Sequence, residues 1–115
     1  MKQRLLVMNG QRIVQAQQEG GWKDQKVDKA GELKPGIYNI YLAQQADKFK
    51  QHEGVIVHAD KSNIFQKIGK NYVVHSRDDF DIVPEIGSVK RISYNENGKA
   101  VVSAEANKLK RGRSR

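Results

Sequence analysis

Hydrophobic residues fall in short runs separated by turn-forming residues, and they seldom recur at the three-to-four spacing of a helix. The first two runs lie in RLLVMNGQRIVQAQ, Arg4 to Gln17, on either side of Asn9-Gly10, the dipeptide best suited to the positive φ angles of a type I′ turn. This predicts a β-hairpin. After Glu19-Gly20-Gly21, the run Trp22 to Val27 reads as a third, weaker strand, and Pro35-Gly36 marks a turn. Ile37 to Leu42, IYNIYL, is β-branched and aromatic and reads as a strand. The polar stretch Gln44 to Glu53 reads as a loop, with Ala46 and Phe49 as its anchors.

From Gly54 onward the punctuation is regular. GVIVHAD, NIFQKI and YVVHS are short runs divided by turn formers, with Gly69-Lys70-Asn71 between the last two, as in a β-meander. Ser76-Arg77-Asp78-Asp79 has the composition of a capped helical turn, which Pro84 and Gly87 then end. SVKRISY and KAVVS flank Asn95-Glu96-Asn97-Gly98 and predict a closing hairpin. The expected fold is therefore mostly β: a small antiparallel barrel or sandwich with one short helical turn. Residues 1–103 are expected to form a single domain, and 104–115 a disordered basic tail.

At 115 residues the chain can bury one modest core. It has no cysteine, which excludes disulfides, thiolate metal sites and cysteine nucleophiles. No run is long and apolar enough for a membrane helix, and the first residues carry a hairpin signal where a signal peptide would be apolar, so a cytoplasmic protein with no membrane contact is expected. The net charge of +8 favours a polyanionic partner. Its distribution is uneven: Lys108, Lys110, Arg111, Arg113 and Arg115, against Glu105, supply about half of the excess in the tail alone. Such a tail, without aromatics, would contact phosphates without reading sequence.

The chemistry-bearing candidates are few. His58 and Asp60 fall on one strand face by period two, and His75 could approach from a neighbouring strand, but a closed zinc site would need a fourth ligand, and no metal is expected. Asp78, Asp79, Asp81 and Glu85 are explained by a helix start. No nucleotide-binding glycine motif, nucleophile elbow or metallopeptidase motif occurs, so neither an enzyme nor a cofactor is expected. Aromatics interleave with bases, as in FQKIGKNY, and small β domains hold single strands by stacking bases on aromatics beside such charges. Most of the aromatics are needed for the core; Trp22 and Tyr41 are the two expected at the surface.

The second half, Gly54 to about Val102, resembles the KfrB domain, found in plasmid-encoded accessory proteins and in large mobile-element proteins. The likeness is carried by GVIVHADKSNIFQKIG, by VVHSRDDFDIVPEIGSVKRISY and by the closing GKAVV. It implies a role in plasmid maintenance or transfer and supplies no catalytic residues. Gly69, Gly87, Pro84, Val73 and Ile92 within it make sense as turn and core positions, whereas Gln66 and His75 are polar positions with no evident structural reason. Together with His58 and Asp60 they form a candidate polar site.

Two partners remain open. A contiguous positive face of Lys61, Lys67, Lys70, Lys90 and Arg91, joined by the tail, would hold DNA or RNA; an apolar patch or exposed strand edge would hold another plasmid-encoded or host protein.

Overall fold

The structure, a computed structural model, describes residues 2–104; the predicted basic tail lies outside the described residues. The first four strands, β1 (Gln3–Met8), β2 (Gln11–Gln18), β3 (Gly21–Lys29) and β4 (Gly36–Tyr38), form one sheet in the order β3-β2-β1-β4. Asn9 and Gly10 both take positive φ, 52° and 76°, as a type I′ hairpin requires. β5 (Gln44–Gln45), β6 (His52–Ala59), β7 (Asn63–Ile68), β8 (Asn71–Ser76), β9 (Val89–Tyr94) and β10 (Ala100–Ala104) form a second sheet in the order β10-β9-β6-β7-β8-β5. Their pairings are antiparallel except β5 with β8, which is parallel. The architecture is two packed sheets and not a closed barrel.

The six-stranded sheet has a core on each side. On one side Val57, with Val55, Phe65 and Tyr72, meets Leu5, Val7, Val14 and Tyr38 of the first sheet, with Leu33 and Ile40 from the loops. On the other, Ile56, Ile64 and Ile92 pack under Phe80 and Val83, delivered by the long segment between β8 and β9. Gly87 and Ser88 lace that segment to β6: the Gly87 amide donates to the Ile56 carbonyl (2.7 Å) and the Ile56 amide to the Ser88 carbonyl (2.9 Å).

Four local expectations are corrected. IYNIYL is a strand only as far as Tyr38; Ile40–Leu42 wind into a 3₁₀ turn, closed by the Leu42 and Ala43 amides on the Asn39 and Ile40 carbonyls. Strand alternation would have buried Tyr38, Ile40 and Leu42 alike, whereas the turn buries Ile40 and releases Leu42 to solvent. Gln44–Gln45, read as loop, adds a short strand to β8. Phe49 anchors nothing: Asp47 closes the turn by accepting from the Phe49 amide at 2.9 Å, and the ring is 99% exposed.

The predicted helical turn is a single 3₁₀ turn, Arg77–Asp79, with no side-chain cap from Ser76. Arg77 secures it instead, its amide donating to the Ser62 carbonyl (3.0 Å) and its guanidinium to the Asp60 carbonyl (2.7 Å). The chain leaves helical geometry at once because Phe80 must drop into the second core. Among the motif positions, Ile92 is fully buried and Val73 half-buried.

Candidate nucleic-acid interface

The first sheet has one covered and one open face. By strand alternation β1 turns Leu5 and Val7 inward and Arg4, Leu6 and Met8 outward. Across the open face, Leu6 stands between Ile37 of β4 and Ile13 of β2, and Ile13 stands beside Val27 of β3, an aliphatic row crossing all four strands. One row nearer the start of β1, Arg4 stands opposite Gln15 and Gln15 opposite Asp24.

That polar row is a chain of hydrogen bonds. Arg4 Nε donates to Gln15 Oε1 at 2.8 Å, and Gln15 Nε2 donates to Asp24 Oδ1 at 2.9 Å. So held, the Arg4 guanidinium lies 4.3 Å from the centre of the Trp22 ring, within the range of a cation–π contact. Tyr41, carried in by the 3₁₀ turn that Ile40 anchors, has its ring 5.8 Å from that of Trp22 at a 35° tilt. The Lys2 ammonium stands 5.4 Å from the Tyr41 ring. Two aromatic rings and two cations thus share one corner of the molecule, brought together because β4 returns to β1. Of the residues read from the sequence, Trp22 and Tyr41 are here. Lys2 and Arg4 were missed, although the alternation of RLLVM already placed Arg4 opposite the buried face.

The other predicted bases do not share a face. Lys61 sits in the β6–β7 turn, at the opposite end of β7 from Lys67 and Lys70. Lys67 is half-buried with its ammonium on the Gly69 carbonyl. Along β9, Lys90 points to the same side as buried Ile92, while Arg91 points to the other and reaches Glu53 at 3.7 Å. Lys108, Lys110, Arg111, Arg113 and Arg115 lie outside the described residues.

Gln66 and His75 do meet, and they acquire a structural reason. Gln66, fully buried, donates through Nε2 toward the carbonyls of His52, Gly54 and Lys90 at 3.2, 3.2 and 3.0 Å. Three carbonyls can face only the nitrogen of the amide, so its oxygen faces His75 Nε2, 2.9 Å away. His75 must therefore carry its proton on Nε2 and accept at Nδ1 from the Tyr94 hydroxyl, at 2.6 Å. Burial, then the neighbouring His52 ring, lowers the His75 pKa to about 4 against a weaker opposing pull from Asp79, and burial followed by Asp79 raises that of Tyr94 to about 12. Both groups are neutral at pH 7. The relay ties β6, β7, β8 and β9 together inside the second core.

His58 and Asp60 are not part of it. A bulge where the β6 register breaks between Ile56 and His58 turns His58 toward the first sheet, where it stacks on Phe65 at 6.0 Å. Asp60 is off the strand and caps a turn, accepting from the Ser62 and Asn63 amides at 2.9 and 2.7 Å. The sheet thus sets His58 and Asp60 on one side and His75 on the other, where the His52 ring lies 5.4 Å from it. Among the described residues, no cluster of three or more His, Asp or Glu could hold a metal ion. None of their helices is long and apolar enough to cross a membrane.

Residues 51–104 match the KfrB Domain model. Over 119 aligned residues the chain is 34% identical to Protein TraB of Escherichia coli, covering 97% of this chain and 82% of TraB. The chain belongs to the KfrB-domain family. Within this KfrB-domain protein the matched segment holds β6 to β10, hence the whole buried relay, whereas the Trp22–Tyr41 corner lies before it and falls only within the TraB alignment. The two matches together support a plasmid-associated accessory protein.

Proposed function

We propose that this accessory protein binds single-stranded nucleic acid on the open face of its four-stranded sheet, in plasmid maintenance or transfer, and that its role is binding and not catalysis. The observation that supports this reading is the corner of Trp22, Arg4, Tyr41 and Lys2, in which rings and cations stand together at the open face of the first sheet. Bases stack on such rings whatever their identity, and the cations meet the phosphates. The basic residues from Lys108 to Arg115 add phosphate contacts without sequence preference.

Trp22 is the only tryptophan, so its fluorescence reports the site directly. Titration with oligothymidylate should quench it, and Trp22→Ala should weaken binding of a labelled oligonucleotide by roughly 5- to 150-fold, the equivalent of one stacked base. A chain ending at Ala104 should bind with a salt slope smaller by about three to four. Absence of quenching at low salt overturns the proposal. The aliphatic row of Leu6, Ile13, Val27 and Ile37 on the same face supports a second reading, a protein partner. That reading gains if Ile37→Lys abolishes a complex with another plasmid protein while oligonucleotides fail to quench Trp22.

A further inference from the structure

A second place in the molecule is built around two bulges that face each other across the gap between the sheets. Between β2 and β3 the register breaks at Val14 and Gln15, leaving Gln25 of β3 as the extra residue; between β6 and β7 it breaks at Val57 of β6. Bulges re-aim side chains, and these two direct Gln25, Lys26 and His58 into one cleft of about 290 Å³, to which Gln3, Asp60 and Lys61 also contribute.

Beside this cleft, buried polar atoms lack partners among the described residues. His58 is 6% exposed, and its Nδ1 is buried with no hydrogen bond. Arg12, on the same face of β2 as Val14, has Nε and Nη1 buried and unpartnered; only its Nη2 is engaged, by Asp28 at 3.3 Å. Native folds leave very few such atoms unmatched; His58, which lines the cleft, offers one of them there, and Arg12 behind it adds buried positive charge. Burial, and next the positive charge of Arg12, hold the His58 imidazole neutral, its pKa lowered to about 4.

The inventory of groups selects the ligand. Among the lining residues donors predominate: the Lys26 and Lys61 ammonium groups and the amides of Gln3 and Gln25. Of the carboxylates, Asp28 is taken up by Arg12 and Lys26, and one Asp60 oxygen by two backbone amides. Three cations against two carboxylates leave one positive charge, which suits a singly charged oxyanion with several oxygens to share among the donors.

We infer that the inter-sheet cleft lined by His58, Lys26 and Lys61, backed by Arg12, binds a singly charged phosphate group, either free phosphate or a phosphodiester. The site is on the covered side of the first sheet and does not depend on the Trp22 corner.

The test follows the His58 ring resonances of ¹⁵N-labelled full-length protein during titration with inorganic phosphate and, separately, with the phosphodiester thymidylyl-thymidine, chloride at matched ionic strength serving as control. A saturable shift with a dissociation constant of about 1 mM or tighter is expected for at least one probe, and which one saturates tells free phosphate from a backbone phosphate. Lys26→Gln with Lys61→Gln, both exposed and safe for folding, should weaken it about tenfold or more, and Trp22→Ala should leave it unchanged. No saturable shift with either probe, an equal shift with chloride, or unchanged affinity in the double lysine variant overturns the inference.

Discussion

Gln66→Leu tests the buried relay. Leucine matches the volume of glutamine closely enough to leave no sizeable cavity, so the loss is electrostatic. His75 Nε2–H, among the most deeply buried groups of the chain, is left without an acceptor, which costs about 1–3 kcal/mol. The carbonyls of His52, Gly54 and Lys90 each lose a donor at the same time. A total of about 2–4 kcal/mol is expected, a large share of the roughly 5–15 kcal/mol that holds a domain together. Urea denaturation followed by circular dichroism measures it. The sharper check is the pair Gln66→Leu with His75→Phe. Replacing both partners by apolar groups removes the orphaned donor, so the double variant should be more stable than Gln66→Leu alone. The Tyr94 hydroxyl, at the partly exposed end of the relay, then turns to water. A loss below about 1 kcal/mol for the single variant, or strictly additive losses in the pair, would show that the relay does not carry the energy assigned to it.

Other outcomes follow from the same geometry. The unfolded chain protonates its histidines near pH 6.5, and folded His58 and His75 do so only near 4, so the unfolded state binds more protons between these values. Stability present above pH 6.5 is therefore lost as the pH falls, by up to about 3 kcal/mol per histidine below pH 4, in urea melts taken across that window. A Cβ at Gly54 would collide with the Lys67 backbone carbonyl of the adjoining strand, so Gly54→Ala should lower stability by about 3 kcal/mol or more. Gly69→Ala meets nothing within 4 Å and faces only its φ of +60°, about 1 kcal/mol; equal losses would contradict the assigned strand contact. Phe49→Ser should change stability by less than about 0.5 kcal/mol, since the ring is already in water, and a larger loss by thermal melting would mean that it packs.

What the sequence revealed and what it hid have separate physical origins. Asn9-Gly10 announces its hairpin because a two-residue turn is decided by the φ angles of those residues alone, and Gly69 behaves likewise. Gln66 and His75 stood out as polar residues in apolar strands. Their partner Tyr94 could not be named, because its place depends on β9 joining β6 and not the strand before it. His58 and Asp60 do border one cleft, but the bulge at Val57 turns His58 away from His75, since a single extra residue moves the next side chain to the other face. IYNIYL has strand composition, but burial of Ile40 beneath the first sheet outweighed propensity for its second half. The Trp22–Tyr41 corner was visible only as two aromatics, because the cations beside them arrive from β1.

The two-sided core of the larger sheet has an evolutionary consequence. The family segment brings its own cover for Ile56, Ile64 and Ile92, in Phe80 and Val83. Its other side, with Val57 and Phe65, is closed by residues that precede it. Wherever this segment is transplanted into a different protein, one side travels sealed and the other has to be roofed afresh. The roof is thus the part of the design free to be exchanged, and in this chain it also carries Trp22, Arg4 and one wall of the inter-sheet cleft.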